Sequence, residues 1–201
     1  MQRTTDFILL QTTLDSTAVA GLAPAAQGWC AASPLPMALH RVAWPADTQT
    51  AYVYARLSTR TSVDSSVLAT LAAAFGKALA GATHIHASRL ETVMDLPGAS
   101  HTDTPLFHYV VETNAEEGWM PEIARWYDTE HMPGLARVPG CIRATRLLNH
   151  DHGPQSLACY DLVSTQILGS APWLAVRNTA WSDIARPHFI NTQRTMFNVI
   201  A

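Results

Sequence analysis

Charge is scarce in this chain of 201 residues. Only 14% are Asp, Glu, Lys or Arg, the formal net charge is −3, and no basic stripe appears. A surface of that kind argues against nucleic acid as a partner. Cysteine is scarcer still. Cys30, Cys141 and Cys159 form an odd, scattered set with no CxxC pair and no regular zinc spacing. That excludes a disulfide framework and fits a reducing, cytoplasmic setting. Long apolar runs are missing as well. The opening MQRTTDFILLQTT is too short for a signal peptide, and Gly21, Pro24 and Gly28 interrupt Ala18–Ala32 before it could span a bilayer. No phosphate loop, dinucleotide fingerprint or nucleophile elbow occurs. What the chain does have is apolar content, 48% of its residues. That is enough for a well-buried core, with surface left to hide in packing between copies, so self-association as a homodimer is expected.

Read in order, the first half alternates strand and helix signals. Thr5–Thr13 reads as a strand and Ser16–Trp29 as a weak helix spoiled by Pro24 and Gly28. Ala38–Trp44 and Ala51–Leu57 follow as strands, separated by a turn at Pro45-Ala46-Asp47-Thr48. Ser62 or Asp64 can cap a helix running to Leu79, and Thr83–Met94 is the fourth strand. Residues 97–104, PGASHTDT, read as a linker. The same order then returns: strand Pro105–Thr113, helix Glu117–His131, strands Cys141–Leu148 and Ser156–Val163, a broken helix Ser164–Ile184, and strand His188–Ile200. At an offset near one hundred residues Phe7 meets Phe107 and Thr13 meets Thr113; Tyr54 aligns with Tyr160 and Ser58-Thr59 with Ser164-Thr165. The fold class expected is therefore α+β, a tandem of ferredoxin-like βαββαβ repeats over residues 1–97 and 105–201. Each repeat leaves one sheet face bare and apolar. Mutual coverage of those faces, at roughly 25 cal/mol per Å2, predicts a dimeric-α/β-barrel-type core within one chain.

Chemistry concentrates in Trp119–Gly140. At 100° per residue Ile123, Trp126 and Tyr127 share an apolar stripe, Glu130 falls inside it, His131 lies on its flank, and Asp128 points away to water. The pattern predicts that the helix loses regularity at Met132, because a residue before proline avoids the α region. His131 would then sit in a last turn whose dipole favours the charged imidazole. Two readings stay open: Glu130 and His131 satisfy each other, the backbone or water, or they line a cavity and move protons. Tyr127 and His131 are helix neighbours at i, i+4, and histidine can take a proton near neutral pH without a large shift.

The catalytic candidates are His131, Glu130 and Tyr127, then His188 at a strand start after Arg186-Pro187. Substrate-binding candidates are Trp126, for stacking on a flat ring, His108 on a strand face with Val110 and Glu112, Arg194 for a carboxylate, and Asp128 as an orienting charge. His84 and His86 share a strand side without a third ligand, and His150 and His152 fall in a turn, so no metal site is expected. Trp173 and Trp181, eight apart, read as packing.

The segment RWYDTEHMPGLARVPG at 125–140, with Arg143–Leu148, Tyr160-Asp161-Leu162 and Arg186-Pro187-His188-Phe189, resembles the dimeric α/β-barrel superfamily, in particular EthD-like proteins. That group also includes antibiotic-biosynthesis-type monooxygenases, muconolactone isomerases and stress-responsive barrel proteins. The resemblance covers the second half well; the first half has no counterpart to Trp126–His131, which suggests one pocket per chain. It implies a pocket between the sheet and its first helix. It also implies cofactor-free oxygenation, isomerisation or cyclisation of an aromatic or polyketide-like small molecule. Non-catalytic ligand binding is the alternative, and haem binding the third, although no histidine is placed by spacing as an axial ligand. No organic cofactor is implied.

Overall fold

The structure, a computed structural model, describes residues 4–45 and 47–201. Ala46, in the expected turn at 45–48, lies outside the described residues. The chain divides into two compact units: residues 1–92 with 149–153 and 197–201, and residues 93–148 with 154–196. The boundaries do not coincide with a cut at residue 97. Strand β4 (Thr83–Pro97) begins in the first unit and ends in the second, and β8 (Phe189–Val199) runs the other way.

In the first unit β1 (Thr4–Thr13) pairs antiparallel with β3 (Thr50–Ser62) on one side and β4 on the other; β2 (Met37–Pro45) pairs with β3 and with the end of β8. Alternation along β1 sends Ile8 and Leu10 to the helix side, where they meet Val53, Leu71 and Phe75. Helix α1 (Leu22–Ala31) forms despite its proline and glycine. Pro24 falls in the first turn, whose N–H groups have no intrahelical partner anyway. A 3-10 turn, Ser16–Gly21, replaces the first part of the helix expected from Ser16. Trp29 of α1 fixes the packing on α2 (Ser65–Ala78): its Nε1 donates to the Leu71 carbonyl at 2.9 Å and its ring meets Phe75 edge-on at 5.7 Å.

In the second unit β5 (Phe107–Ala115) and β6 (Cys141–Asn149) flank β7 (Ser156–Leu162), both antiparallel, with β8 beside β5. Ala144, Ala158, Tyr160 and Leu162 form the face that carries the helices. The segment at 97–104 is not a free linker. Gly98 and Ser100 donate backbone N–H groups to Ile142 and Cys141, and Ala99 to Ala136, so the segment is folded onto this unit. The expected helix at 164–184 is three pieces: a 3-10 turn Thr165–Gly169, α5 (Ala171–Arg177) and α6 (Ala180–Ala185). Ser170 caps α5, accepting from the Trp173 N–H, and Thr179 caps α6, accepting from Ser182.

Among the described residues no helix is long and apolar enough to cross a membrane.

Candidate functional site

The helix that carries the WYDTEH run does not stop before Pro133. It runs as α3 (Met120–Trp126), one π turn (Tyr127–His131) and α4 (Met132–Ala136). Proline in an α-helix collides with the carbonyl four residues back and removes one N–H. The wider turn accommodates both: Met132 donates five residues back, to the Tyr127 carbonyl, and the chain opens just ahead of the ring. Gly134 then lets α5 approach, since a Cβ there would lie 2.7 Å from Val176 Cγ1. The consequence for His131 is large. It sits in mid-helix and not at a C-terminus, so no free carbonyls favour its charge.

The π turn aims three rings inward. Trp126 stacks on His131, with centroids 4.1 Å apart and planes at 24°, and meets Tyr127 at 4.6 Å. Phe189 lies parallel to Tyr127 at 6.0 Å. A second aromatic group faces them from the sheet and α5: Tyr160 meets Trp173 edge-on at 5.3 Å, and Tyr109 lies 6.3 Å from Tyr160. Between the groups is a cavity of about 100 Å3, and Arg177, Arg186 and Arg194 complete its lining. For scale, a cavity of roughly 150 Å3 accommodates a benzene ring.

Two buried polar atoms here have no protein partner: His131 Nδ1 and Trp126 Nε1. Burial, reinforced by Arg186 and Arg177, pushes the imidazole from its ordinary 6.5 down to about 3. His131 is therefore neutral across the physiological range, the reverse of the charged form expected of a helix terminus. Burial pushes the Tyr127 phenol well above its usual range, and raises Tyr109 against the opposing pull of Arg194, Arg177 and Arg186. Tyr160 donates its hydroxyl to Met132 Sδ at 3.0 Å and is raised by burial too. All three phenols are protonated, so the cavity offers neutral hydroxyls and a neutral imidazole, with cations at its rim.

Of the residues named from sequence, His131, Tyr127, Trp126 and Arg194 line this cavity. The others lie elsewhere in the unit. Glu130 accepts from Thr179 Oγ1 at 2.6 Å, which ties the π turn to the cap of α6. Asp128 faces outward as expected, its side chain 42% exposed, and is also paired. It takes a two-pronged contact from Arg146 of β6, at 2.8 Å. His108 bonds Asp161 through Nδ1 at 2.7 Å, on the β5 face opposite to Tyr109. His188 stacks on Trp119 and bonds Glu116 Oε2 at 2.7 Å.

Sequence reasoning missed Tyr109, Tyr160, Trp173, Phe189, Arg177 and Arg186 as site residues. Strand parity carried a signal for Tyr109, which shares a face with Val111. Nothing in the sequence marked Arg177 or Arg186 as partners of Arg194. Trp173 and Trp181 sit on separate helices; Trp181 donates to Glu122 at 2.9 Å and receives Arg125 over its ring. Among the described residues no group of three or more potential metal ligands occurs. The first unit has a cavity of about 120 Å3, beside Trp29, Thr70 and Leu71, with no titratable side chain in its lining.

The Asp128–Arg146 pair is a support whose removal can be measured. The Arg146 side chain is 5% exposed and that of Asp128 42%. Asp128→Ala leaves a buried guanidinium without its carboxylate and is expected to cost about 1–3 kcal/mol in urea unfolding. Replacing both, Asp128→Ala with Arg146→Met, is expected to return much of that loss. A double variant no better than the single one would show that the charge is not what the pair supplies.

No protein-family model matches the sequence, and no curated protein matches it. Solved structures do. An anthrone oxidase-like protein superposes with TM-score 0.63 at 14% identity, over 98% of this chain and 92% of its own. A candidate monooxygenase of Lactobacillus acidophilus gives 0.65 at 10%, over 98% and 94%. A candidate chlorite dismutase gives 0.58 at 11%, over 98% and 96%. These neighbours have the dimeric α+β barrel fold. At such identities the likeness establishes an α+β fold of that kind and leaves the activity open.

Proposed function

We propose that the cavity of the second unit is the active site of a cofactor-independent enzyme acting on an aromatic or polyketide-like compound that can lose a proton, with oxygenation as its reaction. The observation that carries this is His131: a buried, neutral imidazole with an unpartnered Nδ1, held against Trp126 inside an aromatic cavity. A phenol or enolisable ring held there donates to Nδ1. As an oxyanion develops beside the imidazole it offsets the field of the arginines, so the basicity of His131 rises as the proton arrives. Arg177, Arg186 and Arg194 stabilise the anion electrostatically. Tyr127 supplies a neutral hydroxyl beside the ring. Glu130 acts as a positioning residue through Thr179. Such an anion is electron-rich enough to reduce dioxygen directly.

The structural neighbours named as monooxygenase and anthrone oxidase-like support this choice among oxygenation, isomerisation and cyclisation, and they suggest a probe. Anthrone is larger than the enclosed space, so one ring edge would enter and the rest would extend past the exposed Arg177 and Arg194; with dioxygen it gives anthraquinone plus water. One oxygen atom becomes the new carbonyl, and the other leaves as water with the two hydrogens of the methylene carbon. A porphyrin does not fit the residues present: His131 is the one histidine of the lining, and its ring is covered by Trp126.

The strand orders β4-β1-β3-β2 and β8-β5-β7-β6 support reading the chain as two ferredoxin-like repeats. The EthD-like affinity rests on the 125–140 segment.

The test is oxygen consumption with anthrone in air-saturated buffer. His131→Ala is expected to lower kcat by about 100-fold or more, as loss of a general base does, while circular dichroism is unchanged. A variant as fast as the parent would remove His131 from the chemistry. Binding of anthrone without turnover in either protein would leave a ligand-binding protein in place of an enzyme.

A further inference from the structure

The lining of the cavity has a charge problem that the proposed chemistry does not resolve by itself. Arg177 at the end of α5, Arg186 after α6 and Arg194 on β8 all line one small cavity, and no salt bridge joins any of them to a carboxylate among the described residues. Of the other arginines of this unit, Arg146 pairs with Asp128, Arg143 with Asp95 and Arg125 with Glu122, while Arg137, outside the cavity, has no salt bridge among the described residues. The three at the cavity instead repel each other, and Arg186 is held beside Arg177 by a bond from its Nη1 to the Arg177 carbonyl at 3.2 Å. Each cation lowers its neighbour's hold on a proton, and Arg186 is depressed by burial and by Arg177 and Arg194. Asp183 offsets part of this field at Arg186 without bonding it, and like charges gathered with so little counter-charge destabilise the free protein. A ligand that brings the missing charge removes that repulsion.

The arrangement also has an order. The rings and the His131 Nδ1 are buried, whereas Arg177 and Arg194 are exposed. A molecule that satisfies both ends has a flat apolar body, a hydroxyl at its inner end and an anionic group at its outer end. We infer that the cavity selects hydroxylated aromatic carboxylates, with the ring among Trp126, Tyr160 and Trp173, the hydroxyl on His131 Nδ1 and the carboxylate on Arg177, Arg186 and Arg194. This rests on the proposed active site and narrows its substrate class. Guanidinium groups pair with carboxylates through two parallel N–H donors, which favours a planar carboxylate.

Isothermal titration of the intact protein tests the assignment with three probes of one shape: 4-hydroxybenzoate, its neutral amide 4-hydroxybenzamide, and benzoate. The hydroxybenzoate is expected to bind at least about 10-fold more tightly than the amide. That advantage should shrink as salt rises from about 50 to about 500 mM, because Arg177 and Arg194 are exposed to screening. Arg177→Gln and Arg194→Gln, both on the surface, should each weaken hydroxybenzoate severalfold and leave the amide unchanged. Benzoate should bind more weakly than hydroxybenzoate in the parent, and equally with it in His131→Phe. If amide and carboxylate bind equally, the anion assignment is overturned while the aromatic site stands. If none of the three binds and anthrone is turned over, the site takes a neutral substrate and the inference fails alone. If nothing binds and nothing turns over, both readings fall together.

Discussion

Between about pH 6.5 and pH 4.5 this protein is expected to lose roughly 2–3 kcal/mol of stability through one imidazole. His131 titrates at its ordinary 6.5 when the chain is unfolded and at about 3 when folded. Below pH 6.5 the unfolded state takes up a proton that the folded state refuses. The unfolded state binds more protons throughout that window, so stability rises with pH and falls as acid is added. The slope is about 1.4 kcal/mol per pH unit well below 6.5, and it vanishes below about pH 3, where the folded form is protonated too. Carboxylates such as Asp151, whose pKa is held down by Arg89, add to acid unfolding at lower pH.

The comparison that isolates the imidazole is His131→Phe, which keeps a flat ring against Trp126 and cannot titrate. Urea unfolding of parent and variant at pH 7.5, 6, 5 and 4.5 gives the difference curve. The parent should lose ground on the variant steadily from pH 6 downward. Parallel curves would mean that His131 is hydrated or paired in the folded protein, and the neutral-imidazole chemistry would go with it.

How the sequence encodes this site explains what could be read from it. Hydrophobic periodicity marks elements that bury one face, so the eight strands and α2 were legible, as was the inward stripe of Ile123, Trp126 and Tyr127. The run from Trp126 to His131 stood out because it places acids and histidine where packing would use aliphatics. What failed was the rule that proline ends a helix. It assumes a regular i, i+4 ladder, and one π turn removes the conflict at Pro133 and rotates the residues beyond it. That small change turns Glu130 to Thr179, seats His131 in mid-helix, and reverses the expected charge of the imidazole. The cluster of arginines was illegible for another reason. Arg177, Arg186 and Arg194 come from a helix end, a 3-10 turn and a strand, and their convergence is a property of tertiary packing alone. Asp128 shows the same limit from the other side. Helical angle placed it outward, yet Arg146 reaches it from β6, a strand whose position over the helix no local pattern records.

Gly98→Ala is expected to be the most damaging single-methyl addition in the molecule, at about 3–5 kcal/mol. The PGASHTDT stretch looks like polar connecting chain, but at Gly98 it presses against the start of β6. A Cβ there would stand 2.1 Å from the Cys141 carbonyl oxygen, 2.6 Å from its carbon and 2.8 Å from the Ile142 carbonyl carbon. These are backbone atoms, so no rotamer change relieves the overlap. Either the 97–104 segment lifts away or β6 shifts. The first outcome breaks the bonds from Gly98 N–H to Ile142 at 2.8 Å and from Ser100 N–H to Cys141 at 2.9 Å, and loosens the Ser100 Oγ that accepts from Gly140 at 3.0 Å. The second moves Cys141 and Ala144, which lie under the helix that carries His131. Gly28→Ala is the control. It adds the same methyl inside α1 with no atom within 4 Å, and alanine's better helix propensity should stabilise by about 0.5–1 kcal/mol. Thermal unfolding followed by circular dichroism should show a fall of roughly 10 °C for Gly98→Ala and a small rise for Gly28→Ala. If Gly98→Ala melts with the parent, the 97–104 segment is not seated on β6. The Cys141 end of that strand then owes its position to the helices alone.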